Sequence, residues 1–390
     1  MRRSTLQPWL VFLGVGFCGP CAAEVVRYAV IADYGTTSSA ADDVATLVKS
    51  WNPDFVISAG DNNYGDNTLG HEDWDRLIGA RYGEYLRRRS DGKYPNQTGD
   101  TQRFFSSVGN HDAQWTGPNQ STRAGYLDYF HSDPALPSGR LPSGWHALDR
   151  SHYAFRQGPM EIFVFDGHAV VQGGDAATDE AAWLFQSVTS STATWKFVVD
   201  HYPPYSSGYE GNVGAVEWPF AAWGVDALFA GHDHVYDRLV ADDTAFFVVG
   251  TGGQGLYDLQ PTPHPLSQAR RDDVHGALLV TVDEQHARYE FVDVDGNVID
   301  VYEQTKAVPE PTSISLCLTV AVCLLWVGRK RRSEIPGLPW RPLAPNARYA
   351  VWQSRNWRRG GVCLSSSTRD SRSITRNSRV RRAASTRQLL

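Results

Sequence analysis

The sequence predicts a layered α/β fold, a β-sandwich flanked by helices, and two observations lead to this prediction. Short apolar runs alternate with helical or irregular segments early in the chain and then follow one another in a strand-rich second half. The composition is that of a chain with a buried core, because 42% of the 390 residues are hydrophobic and 21% are charged. A wholly disordered, collagen-like or disulfide-scaffold protein is therefore excluded.

The first predicted elements are a strand, a helix and a second strand. The apolar run at residues 25–32 predicts the first strand, the 3.6-residue periodicity of residues 38–50 predicts the helix, and residues 54–58 predict the second strand. Further strands are predicted at residues 161–166, 195–199, 225–230, 245–249, 277–282, 287–293 and 298–303. Residues 113–150 are rich in Gly, Pro and aromatic residues, so we expect a long surface insertion there.

Residues 1–23 are predicted to be a secretory signal peptide that is cut after Ala23. The segment begins with Arg2 and Arg3, continues with an apolar stretch and ends in small residues. A buried first helix is the alternative. Export to the cell envelope or the extracellular space is therefore expected, followed by a main domain at residues 24–305.

The uncharged apolar stretch at residues 312–328 is predicted to form a transmembrane helix at the short limit of spanning length. The basic cluster at residues 329–332 would stay cytoplasmic and leave the main domain outside, tethered to the membrane. A buried core helix is the alternative. Residues 306–332, with Pro-Glu-Pro ahead of the helix, resemble the PEP-CTERM sorting signal of bacterial exosortase systems. This resemblance implies a bacterial envelope and an exosortase-type processing enzyme as a partner.

Residues 333–390 are rich in Arg and Ser, lack hydrophobic periodicity and are predicted to be disordered. They form either a basic cytoplasmic tail or a read-through or frame-error product without a selected role.

The distribution of charge argues against nucleic-acid binding. The chain has a net charge of −6, but its two ends together carry sixteen net positive charges, which leaves −22 on residues 24–311. Nucleic-acid binding relies on a basic surface, which such an acidic body lacks. None of the five cysteines falls within residues 24–311, so any metal there must be bound by His and oxygen ligands.

Five short blocks share one property: an apolar run ends in polar side chains that can bind a metal ion. The blocks are Asp33–Gly35, Gly60–Tyr64, Gly109–Asp112, Val198–His201 and Gly231–His234. Ligands gather at the carboxyl ends of strands, because the sheet fixes the position of a loop that can itself be polar. Each block alone is a weak signal, and the five together in this order are a strong one.

The order and spacing of the blocks resemble the calcineurin-like metallophosphoesterases, and within them the purple acid phosphatases. The resemblance to the purple acid phosphatase branch depends on two positions. Most metallophosphoesterases carry a His two residues after the first Asp, where this chain has Gly35. Purple acid phosphatases compensate with a Tyr three residues after the second Asp, and Tyr64 stands there. A phenolate is a hard ligand that suits a trivalent ion, so the resemblance implies Fe(III) at the first site.

The resemblance also implies a role for each position. Asp33, Tyr64 and His234 would bind the first metal, and Asp61 would bridge the two ions. Asn110, His201 and His232 would bind the second, a divalent ion such as Fe(II), Zn or Mn. His111 would contact the phosphate of a small phosphorylated substrate and protonate the leaving group, while Asp112 would either orient His111 or serve as a turn residue.

One family position differs. Nine residues after His201, where family members often have a second active-site His, this chain has Glu210. A carboxylate there would repel a dianionic monoester. His131, His152 or His168 could substitute from a loop, and the sequence alone leaves these alternatives open.

Two other motifs are interpreted as structural. Residues 250–255 match a dinucleotide-binding glycine pattern, but the following sequence does not predict a helix, so a structural turn is expected. Residues 293–297 are predicted to form an Asp-Gly hairpin turn rather than a calcium loop.

The resulting prediction is an exported acid phosphatase that hydrolyses phosphomonoesters through a metal-bound hydroxide on a dinuclear centre. A phosphodiesterase or nucleotidase of the same fold is the alternative. A non-catalytic surface-anchored binding protein is a third reading.

Overall fold

The computed structural model describes residues 24–117, 120–130, 143–147 and 151–307. All of them lie in the first of two compact units, Met1–Pro311 and Thr312–Leu390. The predicted signal peptide, the apolar segment at residues 312–328, the basic cluster and the tail lie outside the described residues. Within those ranges, no helix combines the length and the hydropathy needed to cross a bilayer.

The first sheet has six strands, and its centre joins strands that are distant in sequence. Strand β1 pairs in parallel with β2, β2 pairs in parallel with β3, and β1 pairs antiparallel with β14 on its other side. In spatial order the strands are β16 (Val298–Thr305), β15 (His286–Asp293), β14 (Gly276–Val282), β1 (Val26–Ile31), β2 (Phe55–Ser58) and β3 (Phe104–Ser106).

The second sheet has eight strands, of which β8, β9, β10 and β12 form a parallel centre. In spatial order the strands are β13 (Ser267–Arg271), β11 (Tyr236–Ala241), β12 (Thr244–Val249), β10 (Ala227–Ala230), β9 (Trp195–Val199), β8 (Met160–Val164), β7 (Tyr153–Gln157) and β6 (Ser143–Ala147). A separate hairpin joins β4 (Gln114–Gly117) to β5 (Gln120–Thr122).

The helical segments of the described residues include the helices that pack on the outer faces of these sheets. They are α1 (Ser39–Ser50), α2 (Glu72–Trp74), a π-helical turn (Asp75–Gly79), α3 (Ala80–Tyr82), a 3₁₀ turn (Asn110–Asp112), α4 (Ala124–Phe130), α5 (Gly167–Gln172), α6 (Asp175–Ser190), a second 3₁₀ turn (Gly214–Val216) and α7 (Phe220–Trp223). Helix α1 begins where Ser38 accepts a hydrogen bond from the backbone N–H of Ala41, as an N-cap does.

Alternation along the strands divides the core into three layers. In β1, Tyr28 and Val30 belong to the layer between the two sheets, while Ala29 and Ile31 face the helices. Tyr28 meets Phe229 of the second sheet edge-on, with ring centroids 6.2 Å apart. A third layer lies between the second sheet and α6, where Leu184 is buried. The predicted fold class, two sheets flanked by helices, is confirmed.

The predicted surface insertion at residues 113–150 is wrong in one part. Residues 124–130 form α4, whose aromatic side chains Tyr126, Tyr129 and Phe130 are buried, and the rings of Tyr129 and Phe130 pack on Trp74. Burial of aromatic area outweighs the Gly- and Pro-rich composition that led to the prediction.

The two motifs interpreted as structural are confirmed as such. No helix follows residues 250–255 before β13 begins, so the glycines there have no helix N-terminus behind them. Residues 293–297 close the hairpin between β15 and β16, where Gly296 has a φ of 84°.

Candidate metal centre

The candidate centre lies where parallel strands of both sheets end. Asp33 follows β1, and Asp61 follows the neighbouring β2. Asn110 follows β3, His201 follows β9, and the His232–His234 segment follows β10. Because parallel neighbours end at the same edge of a sheet, residues from five distant parts of the chain meet there. The structure brings all seven predicted ligands together.

Three of them form the first group. The hydroxyl of Tyr64 lies 2.9 Å from Oδ1 of Asp33 and 3.0 Å from Nε2 of His234. Nε2 of His234 is 3.5 Å from Oδ1 of Asp33. Three donor atoms within 3.5 Å of one another are close enough to bind a single ion.

The second group is built around Asn110. Its Oδ1 lies 3.0 Å from Nε2 of His201 and 3.1 Å from Nδ1 of His232. Oδ1 of Asp61 is 3.4 Å from Nε2 of His201. Ligand atoms of Asp33, Asp61 and His201 lie within 4.8 Å of one another, so Asp61 stands between the two groups.

Three of the seven side chains are held by backbone in the left-handed region. The φ angles are 56° at Asp33, 53° at Asp61 and 71° at His232. For a residue other than glycine, this conformation costs on the order of 1–3 kcal/mol. Such residues concentrate at functional sites. A locally destabilising backbone conformation therefore places these side chains at the centre.

Gly35 stands at the position where the predicted family more often has a His, and packing explains why the His is absent. A Cβ at Gly35 would lie 2.1 Å from the backbone oxygen of Asn62. The backbone N–H of Gly35 donates to the carbonyl of Asp61, and Tyr64 N–H donates to the carbonyl of Gly35. The loops of the first two blocks thus approach too closely for a side chain, and Tyr64 occupies the first group instead.

Backbone carbonyls orient two of the imidazoles. Nδ1 of His201 faces the carbonyl of Ala59 at 2.9 Å, and Nδ1 of His234 faces the carbonyl of Gly255 at 2.7 Å. A proton on Nδ1 satisfies each carbonyl and leaves Nε2 as a lone-pair donor toward the centre. This arrangement is the usual support of a metal-binding histidine.

The electrostatics of the centre suit cations. Burial raises the pKa of Asp33, but the hydrogen bond with His234 and the electrostatic interactions with the neighbouring histidines outweigh burial and place the pKa below its usual value. Burial, and then the charge of His201, lower the pKa of His232 to about 3. A carboxylate and a neutral imidazole are the protonation states that metal ligation requires.

Tyr64 is held in its phenol form by its surroundings. Burial, and then the negative charges of Asp33 and Asp61, raise the pKa of Tyr64 far above its ordinary value. A phenolate at this position therefore requires a strongly Lewis-acidic cation in the first group.

His111 lies at the rim, outside the two groups. Its backbone N–H donates to Oδ1 of Asp61 at 2.9 Å, while its exposed ring packs on Tyr64 with centroids 4.3 Å apart. A side chain held beside the centre but outside the donor atoms can contact a bound substrate.

Asp112 does not orient the ring of His111. Its carboxylate accepts hydrogen bonds from the backbone of Gly109 and from the backbone and side-chain amides of Asn62. Burial, and then the charge of Asp61, raise the pKa of Asp112. Of the two alternatives, the turn role is confirmed, because Asp112 ties the third block to the second.

The three histidines that could replace the missing active-site His at position 210 differ in their surroundings. His152 pairs with Glu180 of α6 at 2.5 Å. His168 is buried and bonds the hydroxyl of Tyr202 at 2.9 Å, whereas His131 lies outside the described residues. Glu210 itself is exposed, and its backbone N–H donates to Asp233.

A sixth polar block, Asp166–Gly167–His168, follows β8 and is not among the five predicted from the sequence. His168 supports Tyr202, whose ring packs on His232 with centroids 4.7 Å apart. Asp166 forms an ion pair with Arg123 and caps α5. The available signal was the same as for the other blocks, since an apolar strand runs into a polar, glycine-containing turn.

The donor set fits two metal ions. It combines carboxylate, amide and phenol oxygens with imidazole nitrogens, a mixture that suits iron, zinc or manganese and includes no soft sulfur ligand. The buried negative charges of Asp33 and Asp61 also call for compensating cations.

Comparison with known families agrees with this geometry. Residues 26–236 match the calcineurin-like phosphoesterase family, and residues 244–301 match the family described as iron/zinc purple acid phosphatase-like protein C. The first match spans more than half of the chain. The chain belongs to the calcineurin-like phosphoesterase family, which confirms the predicted enzyme class, the metallophosphoesterases.

Individual relatives are distant. The chain is 22% identical to rat tartrate-resistant acid phosphatase type 5, over 64% of this chain and 80% of that protein. It is 23% identical to Fe(3+)-Zn(2+) purple acid phosphatase 12 of Arabidopsis thaliana, over 63% of this chain and 54% of that protein. The chain therefore spans only about half the length of the Arabidopsis relative.

Two solved structures share the fold. One is GAP50, described as the anchor in the inner membrane complex of Plasmodium, with a TM-score of 0.54 and 18% identity over 73% of this chain and 90% of that one. The other is a purple acid phosphatase from yellow lupin (Lupinus luteus) seeds, with a TM-score of 0.51 and 17% identity over 73% of this chain and 54% of that one.

Metal ions are expected to stabilise the protein through Asp61. Saturation with Zn or Fe should raise the melting temperature by about 5–10 °C over chelator-treated protein, because the ions bind only the folded state. Asp61→Asn should lose most of this rise, since an amide replaces the carboxylate between the two groups. Differential scanning calorimetry measures both effects.

The matched control is Asp300→Asn, which removes a carboxylate that pairs with Arg238 on the sheets. This variant should melt earlier yet keep the full response to metal. A rise in Asp61→Asn equal to that of the unmodified protein would contradict the bridging role of Asp61.

Proposed function

We propose that this phosphoesterase-family protein is an exported, dinuclear metal-dependent acid phosphatase that hydrolyses small phosphomonoesters. The observation that carries the proposal is the pair of donor groups on either side of Asp61, three side chains in each. Two ions bound there would supply Lewis acidity that neutralises phosphoryl oxygens and lowers the pKa of a water molecule. The relatives named as purple acid phosphatases support the same reaction class.

The residues of the two donor groups would hold the ions. Asp33, Tyr64 and His234 would hold one ion, and Asn110, His201 and His232 the other. Asp61 would contact both. The donor atoms are fixed by strand ends and by carbonyl-bound imidazoles, so little reorganisation is needed when the ions or the phosphate bind.

His111 would supply the proton in the second half of the reaction. When the phosphorus–oxygen bond of the ester breaks, the leaving oxygen takes up a proton from a ring N–H of His111 and departs as an alcohol. The anchor to Asp61 and the packing on Tyr64 keep the ring at the rim, where a leaving group would emerge.

The proposed first ion is Fe(III), and the second is Fe(II), Zn or Mn. Support comes from Tyr64 in the first group, from the exclusion of a side chain at Gly35, and from the Fe(3+)-Zn(2+) name of the Arabidopsis relative.

A phosphodiesterase or nucleotidase is the second candidate, and Glu210 favours it. The carboxylate is exposed beside Tyr257, whose pKa is raised by burial and then by the charge of Glu210. A negative charge at the rim repels a dianionic monoester more than a monoanionic diester. The ratio of rates on an aryl monoester and the matching diester discriminates between the two candidates.

Replacement of His111 should slow turnover without loss of metal. We expect His111→Ala to retain both ions and to lose roughly 10²- to 10⁴-fold in kcat on alkyl phosphates. The loss should be much smaller on 4-nitrophenyl phosphate, whose leaving group needs no proton. Steady-state kinetics and elemental analysis measure both.

His286→Ala is the matched control, because this histidine is exposed on β15 and pairs with Asp283. It should behave as the unmodified enzyme. Normal turnover of alkyl phosphates by His111→Ala would remove His111 from the reaction.

Iron at the first group should colour the protein. Tyrosinate bound to Fe(III) absorbs visible light, so Tyr64→Phe is expected to lose the band while Tyr209→Phe, altered at an exposed ring, keeps it. Absorption spectroscopy with iron analysis tests this. A colourless protein with full activity and no iron would contradict the proposed first ion.

Export is proposed from residues 1–23, and membrane tethering from residues 312–332. The envelope fraction of the producing cells is expected to contain protein that begins at Glu24. N-terminal sequencing checks this, and recovery of the intact N-terminus from the cytoplasm would exclude export.

A further inference from the structure

Five aromatic rings contact one another in series at the candidate metal centre, and we call this row the aromatic wall. Its members are His111, Tyr64, His234, Tyr257 and Tyr209. Successive ring centroids are 4.3, 6.1, 4.0 and 6.0 Å apart. The wall passes through the first donor group and then continues outward to solvent.

The outer end of the wall is unusually open. Tyr209 is 72% exposed, more than any other large hydrophobic side chain of the described residues. The ring of Tyr257 stacks on His234 at an interplanar angle of 21°, and Tyr209 meets Tyr257 edge-on at 67°. An aromatic surface beside a reactive centre is thus left available to a ligand.

The loop that carries Tyr209 is anchored by hydrogen bonds on both sides of this residue, from Asp233 and from Gln260. The carboxylate of Asp233 accepts hydrogen bonds from the hydroxyl of Ser206 at 2.6 Å and from the backbone N–H groups of Glu210 and Gly211. The side chain of Gln260 donates to the carbonyl of Gly208.

The anchor belongs to the metal-binding segment itself. Asp233 is buried between His232 and His234, and the N–H of Tyr257 donates to the carbonyl of His234 at 3.1 Å. The backbone segments that carry both outer rings are therefore tied to the segment that carries the donor atoms. A ligand that contacts Tyr209 and Tyr257 would contact surfaces whose distance from the centre is already set.

We propose that the aromatic wall binds the leaving group of the substrate and selects planar aromatic groups, such as an aryl ring or a nucleobase. The inference rests on the proposed phosphatase function. A phosphoryl group at the donor atoms leaves the rest of the ester to extend along the wall. A planar group stacks on tyrosine rings more favourably than a saturated ring of the same size does.

Two esters with leaving groups of nearly the same size and acidity test the proposal. Benzyl phosphate and cyclohexylmethyl phosphate differ mainly in whether the ring is aromatic. The unmodified enzyme is expected to show a kcat/KM for benzyl phosphate about three- to tenfold higher. In Tyr209→Ala this ratio should fall toward one, whereas Tyr209→Phe should keep it.

Phe185→Ala is the matched control, since Phe185 is also an exposed aromatic side chain but lies on α6. Its ratio should equal that of the unmodified enzyme. The melting temperature of each variant shows that it is folded. A second pair, adenosine 5′-monophosphate and ribose 5-phosphate, shows whether a nucleobase gives a larger preference than a simple aryl ring.

The kinetic results distinguish a failure of this inference from a failure of the proposed function. Hydrolysis of both esters at equal efficiency, or an unchanged ratio in Tyr209→Ala, would overturn the aromatic wall and leave the phosphatase intact. A metal-loaded enzyme that releases phosphate from none of the four esters would overturn the proposed function and this inference with it.

Discussion

Two carboxylates buried side by side are the constraint on which the rest of the site depends. Asp33 is 0% exposed and Asp61 is 1% exposed, and they follow adjacent parallel strands. Burial of negative charge is costly unless cations or donors compensate it. The surrounding histidines, the tyrosine phenol and the backbone N–H of His111 all face these two groups, so the chemistry of the centre follows from this compensation.

The loops of the site have a strained backbone, and the well-packed core of the two sheets supplies the stability that offsets this strain. Left-handed backbone at Asp33, Asp61 and His232 destabilises the loops that carry them. Each of these loops leaves a strand whose side chains are almost completely buried, as in β1 and β10. A rigid, well-packed sheet edge can therefore hold a conformation that an isolated loop would leave.

Asp233 connects the metal-binding and substrate-facing parts of the site. It lies between two proposed ligands, yet its own carboxylate accepts hydrogen bonds from the Ser206–Gly211 loop. Reaction chemistry and leaving-group recognition are thus built on one segment. A change in the loop sequence can alter the rim, as Glu210 does, without movement of the donor atoms.

The local sequence pattern is enough to predict the blocks that carry the chemistry, the helix at residues 38–50 and most of the buried strands, because these features are local and have a clear period. It did not reveal β11, whose Asp237 and Arg238 interrupt an apolar run, or the burial of α4. Three relations are visible only in the folded chain: Asp112 supports Asn62, His168 supports Tyr202 while His152 pairs with Glu180, and Tyr209 and Tyr257 extend the row of rings. Those relations join residues that are far apart in the chain. They depend on strand pairing and on packing between the sheets, and no local sequence pattern encodes either.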